Sequence, residues 1–434
     1  MGHYQGQAVF VPGTAAGDVA QVRIVKALKK YAYGIVESLE TPSPSRIPVD
    51  CSSYQPCGGC CLRHISYEAE LKAKEQLAAD CFSRLGGFKD LPLRPILPSP
   101  QEERYRNKVQ YPVGLDKDGH VTFGFYGKHS HRIVPCQDCR LQPELLNQIA
   151  ATVCRILEDL KIPVYQEEKH SGLVRHIFLR HATRTGQILL CLVINGKSLP
   201  HAPEFCRLVL EAHPQITTIL VNLNREKTNV ILGEKNIVYY GPGTIQDEMC
   251  GVPVTLGPMS FYQVNTPSAE NLYRAAAEAA RLDKGQTLLD LYCGMGTIGL
   301  SMAHQAGRLI CVEVVPEAVE SARKNASVMG VTNARFLCAD AGQAASQLAR
   351  EGLSPHVIVL DPPRKGCDQP CLDAVIQMGP KRVVMVSCNP ATAARDVKYL
   401  YEQGGYRPLY LQPADLFPRT HHVECVVALE KSEQ

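Results

Sequence analysis

Cys388 stands in Val386-Ser387-Cys388-Asn389-Pro390, directly after the apolar run Val383 to Val386, where a buried strand would end and a loop begin. Open α/β sheets carry their chemistry at such strand tips. Asp361-Pro362-Pro363-Arg364 follows a second strand-like run, Val357-Ile358-Val359-Leu360, and puts a carboxylate at another tip. A thiol and a carboxylate placed in this way suit covalent catalysis on a bound planar substrate, with the thiolate as nucleophile. Most of the 18 cysteines need no such role, because free cysteine is among the most buried of residue types. Position and neighbours single out Cys388.

The elements that must hold these tips begin near Gly257, where the chain starts to alternate strand, glycine-rich turn and helix. Thr287 to Tyr292, Arg308 to Val314, Ala334 to Leu337, His356 to Leu360 and Arg382 to Val386 read as strands. Ala269 to Ala280, Ile298 to Ala306, Pro316 to Met329 and Gly342 to Glu351 read as helices. This is the pattern of a doubly wound α/β domain. Within it, Asp290-Leu291-Tyr292-Cys293-Gly294-Met295-Gly296-Thr297-Ile298-Gly299 places G-x-G-x-x-G between a strand and a helix, and Glu313 ends the next strand. Glycines let the backbone approach a nucleotide, and an acidic residue suits two ribose hydroxyls, so the loop fits either a nicotinamide dinucleotide or S-adenosylmethionine. A nicotinamide enzyme has no use for Asp-Pro-Pro and Ser-Cys-Asn-Pro on later strand tips. The combination favours the methyl donor.

The preceding residues are of a different kind. From Gln7 to about Glu40, short β-rich runs broken by Pro12-Gly13 and Gly17-Asp18 read as a small barrel, and Thr41-Pro42-Ser43-Pro44-Ser45 reads as a linker. Ser66 is a helix cap signal, and the helix it opens runs to Leu85, with Gly86-Gly87 as its stop. From about Ile96 to Val254 strand-like alternation dominates, giving a mixed, sheet-rich middle domain. Arg104, Arg106, Lys108, Arg175, His176, Arg180 and Arg184 make it the expected RNA-facing surface. Arg175 and Arg180 are an odd number of residues apart, so one flat strand cannot turn both the same way. Net charge is only +3 and by itself decides nothing about partners. No signal segment or membrane-spanning run is visible, so a cytoplasmic protein is expected.

Cys51, Cys57 and Cys60 lie within ten residues, and Cys136-Gln137-Asp138-Cys139 adds two more thiols after a long interval. Two C-x-x-C pairs could bind zinc through Cys57, Cys60, Cys136 and Cys139. Three clustered cysteines with one distant one could equally hold an iron-sulfur cluster. Spacing does not choose between them.

Five motifs resemble, in order, those of the RNA 5-methyluridine methyltransferases: Ser260-Phe261-Tyr262-Gln263-Val264-Asn265, the Asp290 glycine loop, Asp361-Pro362-Pro363-Arg364, Val386-Ser387-Cys388-Asn389-Pro390, and Phe417-Pro418-Arg419-Thr420-His421-His422-Val423-Glu424. The N-terminal portion resembles the cluster-bearing branch of that family, which modifies 23S ribosomal RNA and starts with a TRAM barrel. The resemblance implies a TRAM-like barrel over 1–46, a central domain over 47–256 and a Rossmann-like S-adenosylmethionine-dependent methyltransferase domain over 257–434. It implies Cys388 as nucleophile and Glu424 as base; the chemistry would have Asp361 bridge cofactor and uracil, and Arg364 orient the base or hold the thiol ionised. Cofactor contacts would come from Gln263, Tyr292, Gly294, Gly296, Glu313, Asp340 and Asp361. A 4Fe-4S cluster would sit on Cys51, Cys57, Cys60 and Cys139, leaving Cys61 and Cys136 as bystanders. The substrate would be RNA, 23S ribosomal RNA in preference to transfer RNA, and the protein a monomer. Thr297 and Asp340 stand where many relatives carry Asn.

Overall fold

In the computed structural model, which describes residues 2–128 and 130–432, the C-terminal half condenses onto one seven-stranded sheet. Its strands are β1 (Thr287–Leu291), β2 (Arg308–Glu313), β3 (Ala334–Cys338), β4 (Val357–Leu360), β5 (Arg382–Ser387), β6 (Tyr406–Ala414) and β7 (Glu424–Lys431). They pair in the order β3-β2-β1-β4-β5-β7-β6. The first five are parallel, whereas β7 runs antiparallel to both β5 and β6. Strand order reverses between β1 and β4, and a crevice opens at the carboxyl ends of strands beside such a switch.

Near-continuous apolar strands need cover on both faces. Leu288, Val357, Val359, Val384 and Val386 face one core with the helix Thr266–Ala280. Leu289, Ile358, Leu360, Val383 and Met385 face the other, with the helices Ala341–Arg350, Gln369–Met378 and Pro390–Gly404. All four of these helices start at a side-chain cap, respectively Asn265, Asp340, Asp368 and Asn389. Each such cap stabilises its helix by roughly 1 kcal/mol and fixes where the preceding loop ends. The helix expected over Ile298 to Ala306 is shorter, Thr297–Ser301, and continues as turns.

A second seven-stranded sheet comes from the middle of the chain, in the order Lys235–Tyr240, Ile216–Leu223, Ile188–Ile194, Val174–His181, Lys108–Leu115, Val121–Tyr126, Ile133–Pro135. Helices Glu144–Asp159 and Ala202–Ala212 cover one face, over Tyr111, Ile177 and Leu190. The opposite face, through Phe178, Leu189, Cys191 and Leu220, packs on the hairpin Ile245–Met249/Val252–Leu256 and on Thr266–Ala280. The two sheets therefore share a hydrophobic core.

Residues 2–41 form a separate four-stranded sheet, tied to the linker by the ion pair of Asp18 with Arg46 at 2.6 Å. Ser66 caps the helix Tyr67–Cys81, which continues as a wider turn over Phe82–Gly86 and stops at Gly87 with φ 81°. Ala78 and Phe82 of this segment enter the core beneath the C-terminal sheet. Pro92, Arg94 and Leu97 then exchange backbone hydrogen bonds with Leu411 and Pro413 of β6, covering what would otherwise be an open sheet edge.

Candidate active site

Cys388 owes its position to a register. The antiparallel β5–β7 ladder ends at the pair Ser387–Cys425, which leaves Cys388 and Glu424 as the next residue of each strand, close enough for the Glu424 carboxylate to act on the thiol. The flanking residues shape the turn: Ser387 Oγ donates to the Asn389 carbonyl, and Asn389 Oδ1 accepts from the Ala391 amide at the start of the next helix. Asn389 Nδ2 also donates to the Arg364 carbonyl at 3.0 Å, which ties the Asp-Pro-Pro-Arg loop to the Ser-Cys-Asn-Pro loop. Cys388 is half-buried between them, Arg364 is exposed, and Glu424 is only 4% exposed.

Charge is unbalanced here. Burial lifts the Cys388 thiol to about 11, with Glu424 and Asp361 adding to the rise and Arg364 opposing it. Burial, reinforced by Asp361, lifts Glu424 to about 8, again against Arg364. Burial lifts Asp361 to about 7, and lifts Asp290, deeper under the sheet tips, to about 8. A cation entering this crevice would favour the ionised form of each acid.

A stability prediction follows from the sign of these shifts. Asp290, Asp361 and Glu424 all titrate higher in the fold than the roughly 4 of an unfolded chain. Their contribution is therefore fully present below about pH 4 and is lost as pH rises through 7 to 8. Melting temperature of the ligand-free protein is expected to fall across that window. Asp290→Asn, which mimics the protonated acid, should flatten the fall; an unchanged pH profile in that variant would refute the assignment.

The glycine loop lies beside this acid cluster. Tyr292, Gly294 and Gly296 all have positive φ, at 67°, 56° and 81°, so two of the three turns fall where glycine alone is unstrained. Gly299 answers a different need, since a Cβ there would lie 2.8 Å from Asp290 Oδ2, which accepts its amide. Glu313 Oε2 accepts from the Gly294 amide at 3.0 Å, and its other oxygen accepts from Val314 and Val315. Asp340 is exposed and caps a helix through Gly342 and Gln343, while the Tyr292 phenol turns towards Cys367 and Cys371.

Gln263 reaches the site from the other side. Its carbonyl accepts from Asn107 Nδ2 at 2.8 Å, and its amide approaches the Tyr273 hydroxyl, which lies near Thr297, Asp361 and Glu424. Sequence reasoning passed over Tyr273 because it occupies an apolar position of its helix, with Ala269, Leu272 and Ala276, and reads as core. It is buried, but its hydroxyl faces the acids.

The chain as a whole is matched in known proteins. The profile of the family described as tRNA (Uracil-5-)-methyltransferase covers residues 67–432, and a TRAM domain profile covers residues 1–36. The chain belongs to the uracil-5-methyltransferase family. A protein named "Uncharacterized RNA methyltransferase" from Bacillus cereus is 40% identical over 99% of this chain and 93% of its own length. A protein of the same name from Clostridium tetani is 39% identical over the same shares. Among solved structures, the tRNA (uracil-54, C5)-methyltransferase of Pyrococcus abyssi, in complex with S-adenosyl-L-homocysteine, superposes with a TM-score of 0.77 at 27% identity, covering 97% of this chain and 95% of that one. The protein is an S-adenosylmethionine-dependent RNA uracil C5-methyltransferase. Among the described residues no helix is long and apolar enough to cross a membrane.

In this methyltransferase the N-terminal cysteines meet the middle sheet. Cys51, Cys57, Cys60, Cys136 and Cys139 line one cavity of about 280 Å³, together with Arg63, Arg106, Lys108 and Arg140. Burial is the main cause that lifts Cys57 and pushes Cys60 up to about 12. Cys61 turns away, its Sγ 3.8 Å from His421 Nδ1. Among the described residues no three His, Cys, Asp or Glu side chains are arranged around a single metal ion. The amides of Cys61 and Leu62 both donate to the Arg419 carbonyl, which joins the cysteine segment to the loop leading to Glu424.

Proposed function

We propose that this methyltransferase modifies a uracil of 23S ribosomal RNA by covalent catalysis through Cys388, with Glu424 as the proton-abstracting base. The observation that carries the reading is the nearness of Cys388 and Glu424, the next residue of each strand beyond the Ser387–Cys425 pair, with Asp361 and Arg364 on the adjoining loop. Carbon 5 of uracil is too weak a nucleophile to take a methyl group directly, so Cys388 adds to carbon 6 and leaves enolate character at carbon 5. S-adenosylmethionine supplies an electrophilic methyl group on a sulfonium. Arg364 is the cation that favours the Cys388 thiolate, and Asp361 is proposed to bridge cofactor and uracil. After methyl transfer Glu424 removes the carbon 5 proton, and elimination of Cys388 releases 5-methyluridine. Gln263, Tyr292, Gly294, Gly296, Glu313 and Asp340 are the proposed cofactor contacts, with Tyr273 behind Gln263.

Cys51, Cys57, Cys60 and Cys139 are proposed to hold a 4Fe-4S cluster. Five thiols around one cavity support this. Methyl cation transfer needs no electron source, so the role assigned to the cluster is structural. Protein purified anaerobically is expected to be brown, with iron and acid-labile sulfide that Cys51→Ser diminishes. Stoichiometric zinc in their place would refute it.

The cysteine set is what favours ribosomal RNA, since the cluster-bearing branch acts on it. A second reading, transfer RNA, is favoured by the likeness to the Pyrococcus abyssi tRNA enzyme. Mapping 5-methyluridine in RNA from a deletion strain separates them: loss in 23S ribosomal RNA supports the first, and loss confined to transfer RNA the second.

A further inference from the structure

The loop that carries Arg364 is held from outside the crevice. Gly366 donates its amide to the Pro363 carbonyl at 2.8 Å, which closes a turn with the exposed residues Arg364 and Lys365 at its tip. A two-residue tip on a surface loop has little of its own to fix it. Its anchors come from the helix Pro390–Gly404, the element that starts just after Cys388.

Arg395 Nη2 donates to the Lys365 carbonyl at 3.0 Å and to the Cys367 carbonyl at 3.3 Å, while Asp396 Oδ2 accepts from the Cys367 amide at 2.8 Å. Arg395 Nε closes the circuit by donating to Asp396 Oδ1 at 2.8 Å. Adjacent residues of a helix point about 100° apart and do not ordinarily meet. These two meet because both also bond the same loop. Asp396 is 1% exposed, and a carboxylate so buried is costly unless it is paired and hydrogen-bonded, as this one is. A Cβ at Gly366 would collide with Arg395 Nη2 and Asp396 Oδ2, so loop and helix are in direct contact there.

Together with the bond from Asn389 to the Arg364 carbonyl, these contacts place the Arg364 turn and the Cys388 loop on one rigid body. The charged and titratable groups that act on the Cys388 thiol are Glu424 from β7 and Asp361 and Arg364 from the loop, with the Cys425 thiol next to Glu424. Arg364 is the cation among them, and it opposes the rise of Cys388 and of Glu424 alike. Where its backbone is held therefore matters to both.

We propose that Arg395 and Asp396 are positioning residues of methyl transfer, a clamp that fixes the Arg364 turn relative to Cys388. The inference rests on the reading of Cys388 as nucleophile. Each residue acts through the backbone of residues 364–367 rather than on the reacting atoms. A planar guanidinium suits the task, since its fork bridges two carbonyls and a carboxylate, which the point charge of a lysine does not.

The test is a double-mutant cycle with Arg364→Gln. Asp396→Ala is expected to lower kcat by about 10- to 100-fold, the scale of a small misplacement at a reacting centre. It should also move alkylation of Cys388 by iodoacetamide, read on the Cys388 peptide by mass spectrometry, up by about one pH unit, because a cation that favours the thiolate is no longer held. In the Arg364→Gln background Asp396→Ala should cost less than about threefold more, since the group that the clamp serves is already gone. Arg395→Lys keeps the charge and loses the fork; it is the second variant should Asp396→Ala fold poorly, and it should reproduce both effects in smaller measure. Additive losses in the cycle would overturn the clamp, and so would a wild-type alkylation midpoint in both clamp variants when Arg364→Gln moves it. An unmoved midpoint in Arg364→Gln itself, or methylation that survives Cys388→Ala, would overturn the reading beneath, and the clamp with it.

Discussion

Cys388→Ala is expected to abolish methylation, by on the order of 10⁴-fold or more, and to eliminate the covalent complex that RNA containing 5-fluorouridine forms with the unaltered protein. The fluorine cannot leave as a proton does, so the reaction halts with Cys388 still bonded to carbon 6. Glu424→Gln should behave differently. It keeps the thiol and loses only the base, so turnover falls by about 10²- to 10⁴-fold while an adduct accumulates on ordinary uridine RNA. Removing that carboxylate also removes one of the charges that raise the Cys388 thiol, so iodoacetamide alkylation should shift to lower pH. Denaturing electrophoresis reads the adduct. Methylation that survives Cys388→Ala would end the nucleophile assignment, and turnover without adduct in Glu424→Gln would end the assignment of the base.

Lys74→Met is expected to destabilise the protein by about 3–5 kcal/mol. Lys74 is 2% exposed and sits at the centre of a buried ionic network joining the helix Tyr67–Cys81 to the residues after β6. Its Nζ donates to Glu70 Oε1 and Asp415 Oδ1, both at 2.7 Å, and to the Phe417 carbonyl at 3.1 Å. Glu70 in turn accepts the Arg419 amide at 2.7 Å, and Arg419 pairs with Glu102. The large cost arises because removal of the cation leaves Glu70 and Asp415 facing each other in a low-dielectric interior. Adding Glu70→Gln should recover part of the loss, since one of the two stranded charges is then gone. Urea denaturation of the single and double variants provides the measurement, and a loss under about 1 kcal/mol would mean that water reaches the network.

The network also shows why this part of the chain resisted sequence reading. Lys74 looks like an ordinary solvated lysine on a helix with mixed polar faces, and nothing local says that its partner lies beyond β6. The strands β6 and β7 were hidden for a related reason. They run antiparallel at the end of a parallel sheet, and the motif Phe417 to Glu424 draws attention to chemistry rather than to the turn between them. Lys108–Leu115 was obscured by its basic start and by Pro112, which a sheet tolerates only where its missing donor is not needed. The helices Glu144–Asp159 and Ala202–Ala212 were submerged in a region whose strands dominate the pattern.

The amino-acid sequence by itself singled out the candidate reacting groups and their order. Cys388, Asp361 and the glycine loop are each specified by a few adjacent residues, because a strand tip, a tight turn and a helix cap are local structures. The family, the methyl donor and the doubly wound sheet follow from that local information. Tertiary structure alone decided how these groups act on one another. It brought Glu424 beside Cys388, set Tyr273 near Gln263, gathered five thiols around one cavity, and buried Lys74 between Glu70 and Asp415. Burial and partnership depend on residues far apart in the chain, and no spacing along the chain encodes them.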